Sequence, residues 1–281
     1  MTREEALRRL RAQIELGRPI IGASAGIGLS AKCAEAGGVD LIIIYNSGRF
    51  RMSGHSSMAG LLPYGDANAI VVEMAAEILP VVGHTPVLAG VCGTDPFRSM
   101  PVFLVELKRL GFTGIQNFPT VGLYDGSFRQ ALEETGISFD QEVELIRSGR
   151  ELDLLTAAYV FDELQARAMA EAGADVVVPH LGTTTQGAVG VTSAMSLDEA
   201  VELVQAMHDA VREVNPDAIV LCHGGPIAEV QDAQYVLERT IGVAGFFGAS
   251  SVERLPTEIA ITETMRRLKE IRVKGMTHAG D

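Results

Sequence analysis

LCHGGPI at Leu221–Ile227 and FFGASS at Phe246–Ser251 are two glycine-rich turns in the last quarter of the chain. Each follows a short apolar run, so each stands where a buried strand delivers its backbone to a surface. Glycine lets main-chain N–H groups approach an anion with no Cβ in the way, and a helix starting just after the turn faces its positive end to the same spot. The ends of strands seven and eight of a (β/α)8 barrel commonly hold a phosphate in this manner. The turns therefore predict a barrel enzyme for a small anionic substrate, with Gly224, Gly225, Gly248, Ala249, Ser250 and Ser251 as the groups that bind it.

Working outward, the same junction recurs four times: a helix ends at glycine and a strand begins at once. It reads AEAGGVDLIII (34–44), KRLGFTGIQN (108–117), AEAGADVVVP (170–179) and RTIGVAGFFG (239–248). Glycine at a helix C-terminus followed by a continuous Val/Ile/Leu run marks αβ units around a buried parallel sheet. Eight apolar strands are predicted, near 19–23, 39–45, 86–91, 113–117, 153–158, 175–179, 218–222 and 244–248. That number closes a TIM barrel. Ser196 with Glu199 forms a capping box, and Asp95 before Pro96 reads as the N-cap of the third helix. The helix after Ser196 places Val201, Val204, Ala210, Val211 and Val214 on one stripe. An extra N-terminal helix over 2–16 covers the barrel floor, giving one α/β domain over 1–275 and a flexible tail over 276–281.

The chain has 281 residues, 47% of them hydrophobic and 21% charged, which suits one large core. A net charge of −13 argues against nucleic acid as a partner, since phosphates demand a basic face. Cys33, Cys92 and Cys222 are far apart and odd in number, so neither a disulfide framework nor a structural zinc site is indicated. The charged, helical N-terminus is no signal sequence, and no apolar run reaches the roughly 18 residues of a membrane span. A cytoplasmic protein is expected.

The αβ junctions are short and several βα connections are long, which tells the two ends of the barrel apart. NSGRFRMSGHSSMAGLLPYG follows strand two, FPTVGLYDG strand four and LGTTTQGAVGVTS strand six. Function tends to live on such loops. The uncharged Gly182–Thr192 segment suits a lid, although a passive surface loop has the same composition.

Two motifs mislead. IIGASAGIG resembles the opening of a short-chain dehydrogenase, but no Tyr in the chain has a Lys four residues later. Gly22–Gly26 matches a nucleophile elbow, yet it lies on the first strand, so Ser24 reads as a hydroxyl or backbone ligand. Lys32, Lys108, Lys269 and Lys274 all fall in helices or the tail, which argues against an imine. No NAD, pyridoxal phosphate or Schiff-base lysine is expected.

Chemistry must then come from strand ends. His180 and His223 close apolar strands and are the acid/base candidates, with a hydrogen-bonded core histidine as the plain alternative. Cys92 and Asp95 follow strand three; one reads equally as a small buried residue and the other as a helix cap. Glu134 could serve as an acid or base, and Glu133 or Glu134 could instead pair with Arg129. Arg49, Arg51 and Arg129 could clamp a carboxylate or phosphate through paired N–H donors, or be solvated loop charge. Gly26, Asn46, Gln116, Asn117 and Tyr159 complete the expected substrate contacts with Ser24 and Arg49.

The segments SAGIGLSAKCAEAGGVDLIIIYNSGRFRM, LLPYGDANAIVVEMAAEILPV, TPVLAGVCGTDPF, GIQNFPTVGLYDG, FRQALEETG, VLCHGGPI and GFFGASSVERLP resemble the phosphoenolpyruvate hydrolase-like (phosphonopyruvate hydrolase-like) TIM-barrel family over residues 15 to 272. That family is distantly like the phosphoenolpyruvate mutase/isocitrate lyase superfamily and also resembles the C-terminal half of a plant antiviral resistance protein. The resemblance implies a barrel, a homo-oligomer and a hydrolase or lyase that cleaves a bond beside a carbonyl in an anionic oxo acid or phospho/phosphono oxo acid. Two alternatives stand beside it, a metal-assisted carbon–carbon lyase of the retro-aldol or retro-Claisen type and a non-catalytic ligand-binding regulatory barrel. The superfamily holds Mg2+ on strand-end acids. Here Pro63-Tyr64-Gly65-Asp66 is the nearest echo, so a divalent metal is left open without assigned ligands.

Overall fold

A computed structural model describes residues 1–188, 190–192 and 194–273. The predicted tail 276–281, and Lys274, lie outside the described residues. Eight parallel strands close in chain order: β1 (Ile20–Ser24), β2 (Leu41–Ile44), β3 (Val87–Val91), β4 (Gly114–Asn117), β5 (Leu155–Val160), β6 (Val176–Pro179), β7 (Ile219–Cys222) and β8 (Gly245–Gly248). The ring shuts where Ile20–Ala23 pair with Gly245–Gly248. All eight predicted strands are present, because continuous apolar runs satisfy a sheet covered on both faces.

The helices are α1 (Arg3–Glu15), α2 (Gly28–Ala36), α3 (Asn46–Met52), α4 (Ala67–Ile78), α5 (Met100–Leu110), α6 (Gly126–Glu134), α7 (Phe139–Glu151), α8 (Glu163–Glu171), α9 (Leu197–Val214), α10 (Val230–Arg239) and α11 (Arg254–Lys269). None is long and apolar enough to cross a membrane among the described residues. The junction glycine Gly111 ends α5 with φ +107°, a left-handed turn that glycine alone takes without cost. Val204, Ala210 and Val211 of α9 are buried as the periodicity required, behind the predicted Ser196–Glu199 capping box.

Helix α1 lies across the floor, as expected. Ala6, Leu7 and Leu10 are buried, and Arg3 forks onto Asp175 at the start of β6 through contacts of 2.8 and 2.5 Å. Inside the barrel, Phe247 fills the centre; a Cβ on Gly22 would stand 2.4 Å from its ring, so β1 needs glycine there.

One helix start departs from expectation. α5 begins at Met100 behind Ser99, not behind Asp95. Asp95 instead accepts hydrogen bonds from the Phe97 N–H, from Asn68 and from Arg98, which holds 92–99 as a turn.

Candidate active site

At the C-terminal end of the strands a small cavity of about 40 Å³ lies under two loops. The Ser57–Leu61 turn and the 182–184 segment cover it, and Thr183 Oγ1 reaches Met58 Sδ at 3.1 Å to join the two. That volume holds a water or two.

His180 and His223 extend β6 and β7 by one residue and pair across the strands as a parallel bridge. Their rings meet edge-on at 4.5 Å, and both pack on Tyr159, at 4.8 and 5.0 Å. Hydrogen bonds assign their tautomers. His180 Nδ1 accepts from the Gly182 N–H at 3.1 Å, so a neutral ring carries its proton on Nε2. His223 Nδ1 donates to the Phe247 carbonyl at 2.5 Å, which leaves Nε2 with its lone pair. Burial, and then the His223 ring beside it, drives the His180 pKa well below the ordinary value. Burial, joined by the nearby Arg51 cation, takes His223 down to about 4 against the pull of the Phe247 carbonyl. Both rings are therefore neutral at pH 7, one offering N–H and the other a lone pair.

The charge in the wall is Arg51. Its side chain is wholly buried, with Nη2 at 2.6 Å from Glu253 Oε2 and 2.5 Å from Ser24 Oγ. Glu253 is held in turn by the Gly26 N–H at 2.6 Å and by Ser30 Oγ. Arg51 Nη1 has no hydrogen-bond partner among the described residues, and neither has the Tyr159 hydroxyl or the Gln116 carboxamide. Buried donors are normally satisfied, so the unmatched Arg51 Nη1 is a donor available to a polar ligand.

Behind the wall, Asn117 clamps Tyr159, donating to its carbonyl and accepting from its N–H at 2.7 Å. Glu142 of α7 holds Asn117 and the Val121 N–H, each at 2.7 Å. Burial raises the Glu142 pKa to about 7, against the hydrogen bonds from Val121 and Asn117.

Of the residues expected from sequence, His180, His223, Tyr159, Arg51, Ala249 and Ser250 line the cavity, and Ser24 reaches it through Arg51. Gln116 and Asn117 are buried beneath it. The others stand elsewhere. Cys92 and Asp95 line a separate groove of about 540 Å³ with Arg98, where burial raises the Cys92 pKa. Glu134 is exposed at the end of α6 and takes a bond from Gln130. Arg49 pairs with Glu73 at 2.7 Å, the solvated-charge reading, and Arg129 pairs with Glu133 at 2.5 Å, the internal salt bridge. Asn46 braces the Gly60 carbonyl. The Gly26 N–H is spent on Glu253, and Ser251 faces a groove on the outside of the barrel.

The glycine-turn expectation needs correction at Gly225. Its N–H is donated to the Gly182 carbonyl at 2.8 Å, so it cannot also bind an anion. A Cβ on Gly224 would lie 2.4 Å from the Gly182 oxygen, and one on Gly225 2.5 Å from the Leu181 oxygen, both at positive φ. These glycines let the loops after β6 and β7 touch. A Cβ on Gly248 would strike Val252 at 2.3 Å. Gly225→Val is accordingly expected to lower the melting temperature by several degrees as well as to weaken ligand binding. A variant that melts like the wild type would show that the contact between the two loops contributes little to stability.

Local sequence does not separate Arg51 from its loop neighbours and marks neither Tyr45, which lines the cavity, nor Glu142 and Glu253 behind the wall. Each is buried, and no local pattern announces a charge whose partner lies 202 residues away.

Among the described residues no three of His, Cys, Asp and Glu cluster at metal-binding distances. The carboxylates near the cavity are committed, Glu253 to Arg51 and Glu142 to Asn117 and Val121. This donor set does not fit the oxygen-rich shell of Mg2+.

A closed parallel barrel with a buried arginine and two histidines at its strand ends defines a TIM-barrel protein with a candidate site at the mouth of the barrel. Residues 5–271 match the family described as phosphoenolpyruvate hydrolase-like, and the chain belongs to it. It is 61% identical over 265 residues to the ToMV susceptible protein tm-1(GCR26) of Solanum lycopersicum, covering 94% of this chain and 35% of that protein. The chain thus spans about a third of the length of that relative. Among solved structures it is similar to a phosphonopyruvate hydrolase in complex with oxalate and Mg++, at 18% identity and TM-score 0.56 over 96% of this chain and 87% of that one. A 2,3-dimethylmalate lyase gives 18% identity and TM-score 0.55 over 100% and 92%. At these identities the likeness is one of fold.

Proposed function

We propose that the chain is a hydrolase that breaks a bond beside the carbonyl of a small anionic oxo acid or phosphono oxo acid. The observation that carries this is the pair of histidines in opposite tautomers beside a buried arginine with one unmatched nitrogen. Arg51 Nη1 and the Tyr159 hydroxyl hold the substrate carboxylate. His180 Nε2–H donates to the carbonyl oxygen. His223 Nε2 takes a proton from water, and the resulting hydroxide bonds to the phosphono or acyl group attached at the α-carbon. The bond from that group to the α-carbon breaks, and its electron pair becomes the double bond of an enolate whose oxygen is held by His180. The α-carbon then takes the proton back from His223 Nε2, an acidic donor because its pKa is about 4. The cover keeps further water from the enolate.

The phosphonopyruvate hydrolase and dimethylmalate lyase of similar fold are consistent with this class of substrate. The lyase alternative replaces water by a substrate hydroxyl at His223 and needs no further group. In its metal-assisted form the donor set speaks against it. The test is a panel of 2-oxo, β-oxo and phosphono oxo acids followed by NMR for product release. Turnover of at least one, lost in His223→Asn, supports the reading. Saturable binding without turnover across the panel would replace it with the regulatory barrel.

The 182–188 segment is tied to the root of α11, where Arg254 Nη2 donates to the Gln186 carbonyl at 2.9 Å and the Ala188 N–H to Glu258 at 3.1 Å. We propose that the segment works as a lid over the ligand; Val189 and Ser193 lie outside the described residues. Arg254→Ala is expected to speed hydrogen exchange over 183–188 and to raise KM about tenfold, the scale of one charge-assisted hydrogen bond. Ligand should slow that exchange in the wild type. Equal exchange with and without saturating ligand would remove the lid.

A further inference from the structure

The groove beside the cavity has no part in the chemistry so far. Loops after β2, β3 and β4 enclose about 540 Å³ there, within the range of small-molecule sites. Its walls are apolar, built from Leu61, Pro96, Pro119, Val121, Tyr124 and Phe128, and the Tyr124 and Phe128 rings meet edge-on at 5.2 Å. In a (β/α)8 barrel this end of the strands is where reacting molecules bind.

Groove and cavity are neighbours. Leu61 lines both, and the Tyr124 hydroxyl donates to its carbonyl at 2.5 Å, so a residue of the groove holds the divide in place. The backbone passes from one space to the other within a residue, Phe118 lining the cavity and Pro119 the groove. At about 40 Å³ the cavity alone has no room for a substituent on the substrate. The groove supplies that room once the Leu61 side chain turns aside. Charge narrows what the substituent is. Arg98 on the groove wall is shared by Asp66 and Asp95, at 2.7 and 2.6 Å, which sets two carboxylates against one cation. A phosphono dianion is repelled there, and hydrocarbon is accepted.

Resting on the hydrolase chemistry proposed for the cavity, we propose that the groove takes the hydrocarbon of an acyl group, so that the substrate is a 2,4-dioxo acid, R–CO–CH2–CO–COO−, with R apolar. The carboxylate stays on Arg51 and Tyr159, and R runs past Leu61 between Val121 and Phe128. The oxygen of water bonds to the acyl carbon as His223 takes its proton. The bond from that carbon to the CH2 carbon breaks, and its electron pair forms the enolate, which takes the proton back from His223. One water is consumed, and the products are R–COOH and CH3–CO–COO−.

Kinetics on 2,4-dioxo acids with acetyl, butanoyl, hexanoyl and benzoyl groups, beside phosphonopyruvate, test this. In the wild type kcat/KM should rise about fourfold for each methylene buried, and phosphonopyruvate should be the poorer substrate. Ala67→Trp fills the groove from the first turn of α4 and should bring the hexanoyl value down to the acetyl one. Should that variant misfold, Phe128→Ala, which removes one wall of the groove, should lessen the rise along the same series. Values level with chain length, a preference for phosphonopyruvate, or an undiminished rise in the folded variants would each overturn the acyl groove and leave the hydrolase standing. No turnover of any member would sink the hydrolase instead. Calorimetric binding of the same acids then decides the groove: affinity must climb with chain length in the wild type and not in Ala67→Trp, and affinity independent of chain length would overturn it as well.

Discussion

His223→Asn should lower turnover of the responsive oxo acid by about 10²–10⁴-fold, the usual worth of a positioned general base, while leaving the fold intact. Asparagine keeps a donor toward the Phe247 carbonyl that His223 Nδ1 now engages, so the substitution removes the base without orphaning its partner. His180→Asn is the matching variant. Its side-chain oxygen can still accept from the Gly182 N–H, but the donor to the substrate carbonyl is gone. Unchanged turnover with a large fall in melting temperature would show both to be core histidines and nothing more.

The pH profile adds an independent check. An ordinary histidine base would cut kcat/KM below pH 6.5, whereas a base at about 4 holds kcat/KM level down to that pH. Stability shifts the other way from the usual ion-paired histidine. The folded-state pKa lies below the unfolded value of 6.5, so the unfolded chain binds the extra proton and stability falls as pH drops from about 6.5 towards 4. From His223 alone the loss amounts to roughly 3 kcal/mol by the lower limit. Glu142 acts oppositely. Its pKa rises from 4.5 to about 7, so its contribution is lost as pH climbs through that window. Comparing wild type with His223→Asn isolates the histidine: the variant should lose less stability between pH 6.5 and 4.

The barrel was legible because its signals are local. A glycine stop and a Val/Ile/Leu run sit side by side, as at Gly173 to Val178, and every such junction became the predicted αβ unit. His180 and His223 were legible for a related reason: a residue one position beyond an apolar strand stands at the barrel mouth whatever the rest of the chain does. The remaining wall was not. Asp95 looked like a cap because Pro96 follows it, and only the distant Asn68 shows that it stabilises a turn instead. Arg49 and Arg51 stand two residues apart on the short helix α3. One turns to Glu73 at the surface and the other into the interior; choosing between them requires knowing where Glu253 is. Glycine was read as freedom to approach an anion, yet at Gly224 and Gly225 it serves loop-to-loop contact.

The Arg51–Glu253 pair has the largest expected effect on stability. Both side chains are essentially inaccessible, at 0% and 1%. Glu253→Ala would leave the guanidinium buried without its counter-charge and would free the Gly26 N–H and Ser30 hydroxyl that now bond to the carboxylate. Breaking one side of such a pair costs about 3–5 kcal/mol, on the order of 10 °C in melting temperature for a chain of this size. Replacing both charges should behave differently. In Arg51→Met with Glu253→Gln no charge is stranded, and the glutamine oxygen still accepts from Gly26, so most of the stability should return. Ligand binding should not return, since Arg51 Nη1 is the buried donor left over for the substrate carboxylate. Calorimetry on the single and double variants, with titration of a 2-oxo acid, separates the two roles. A double variant that is stable and still binds the acid at wild-type affinity would show that Arg51 only braces the wall, and the anion would then have to be sought at the Ala249 and Ser250 amides.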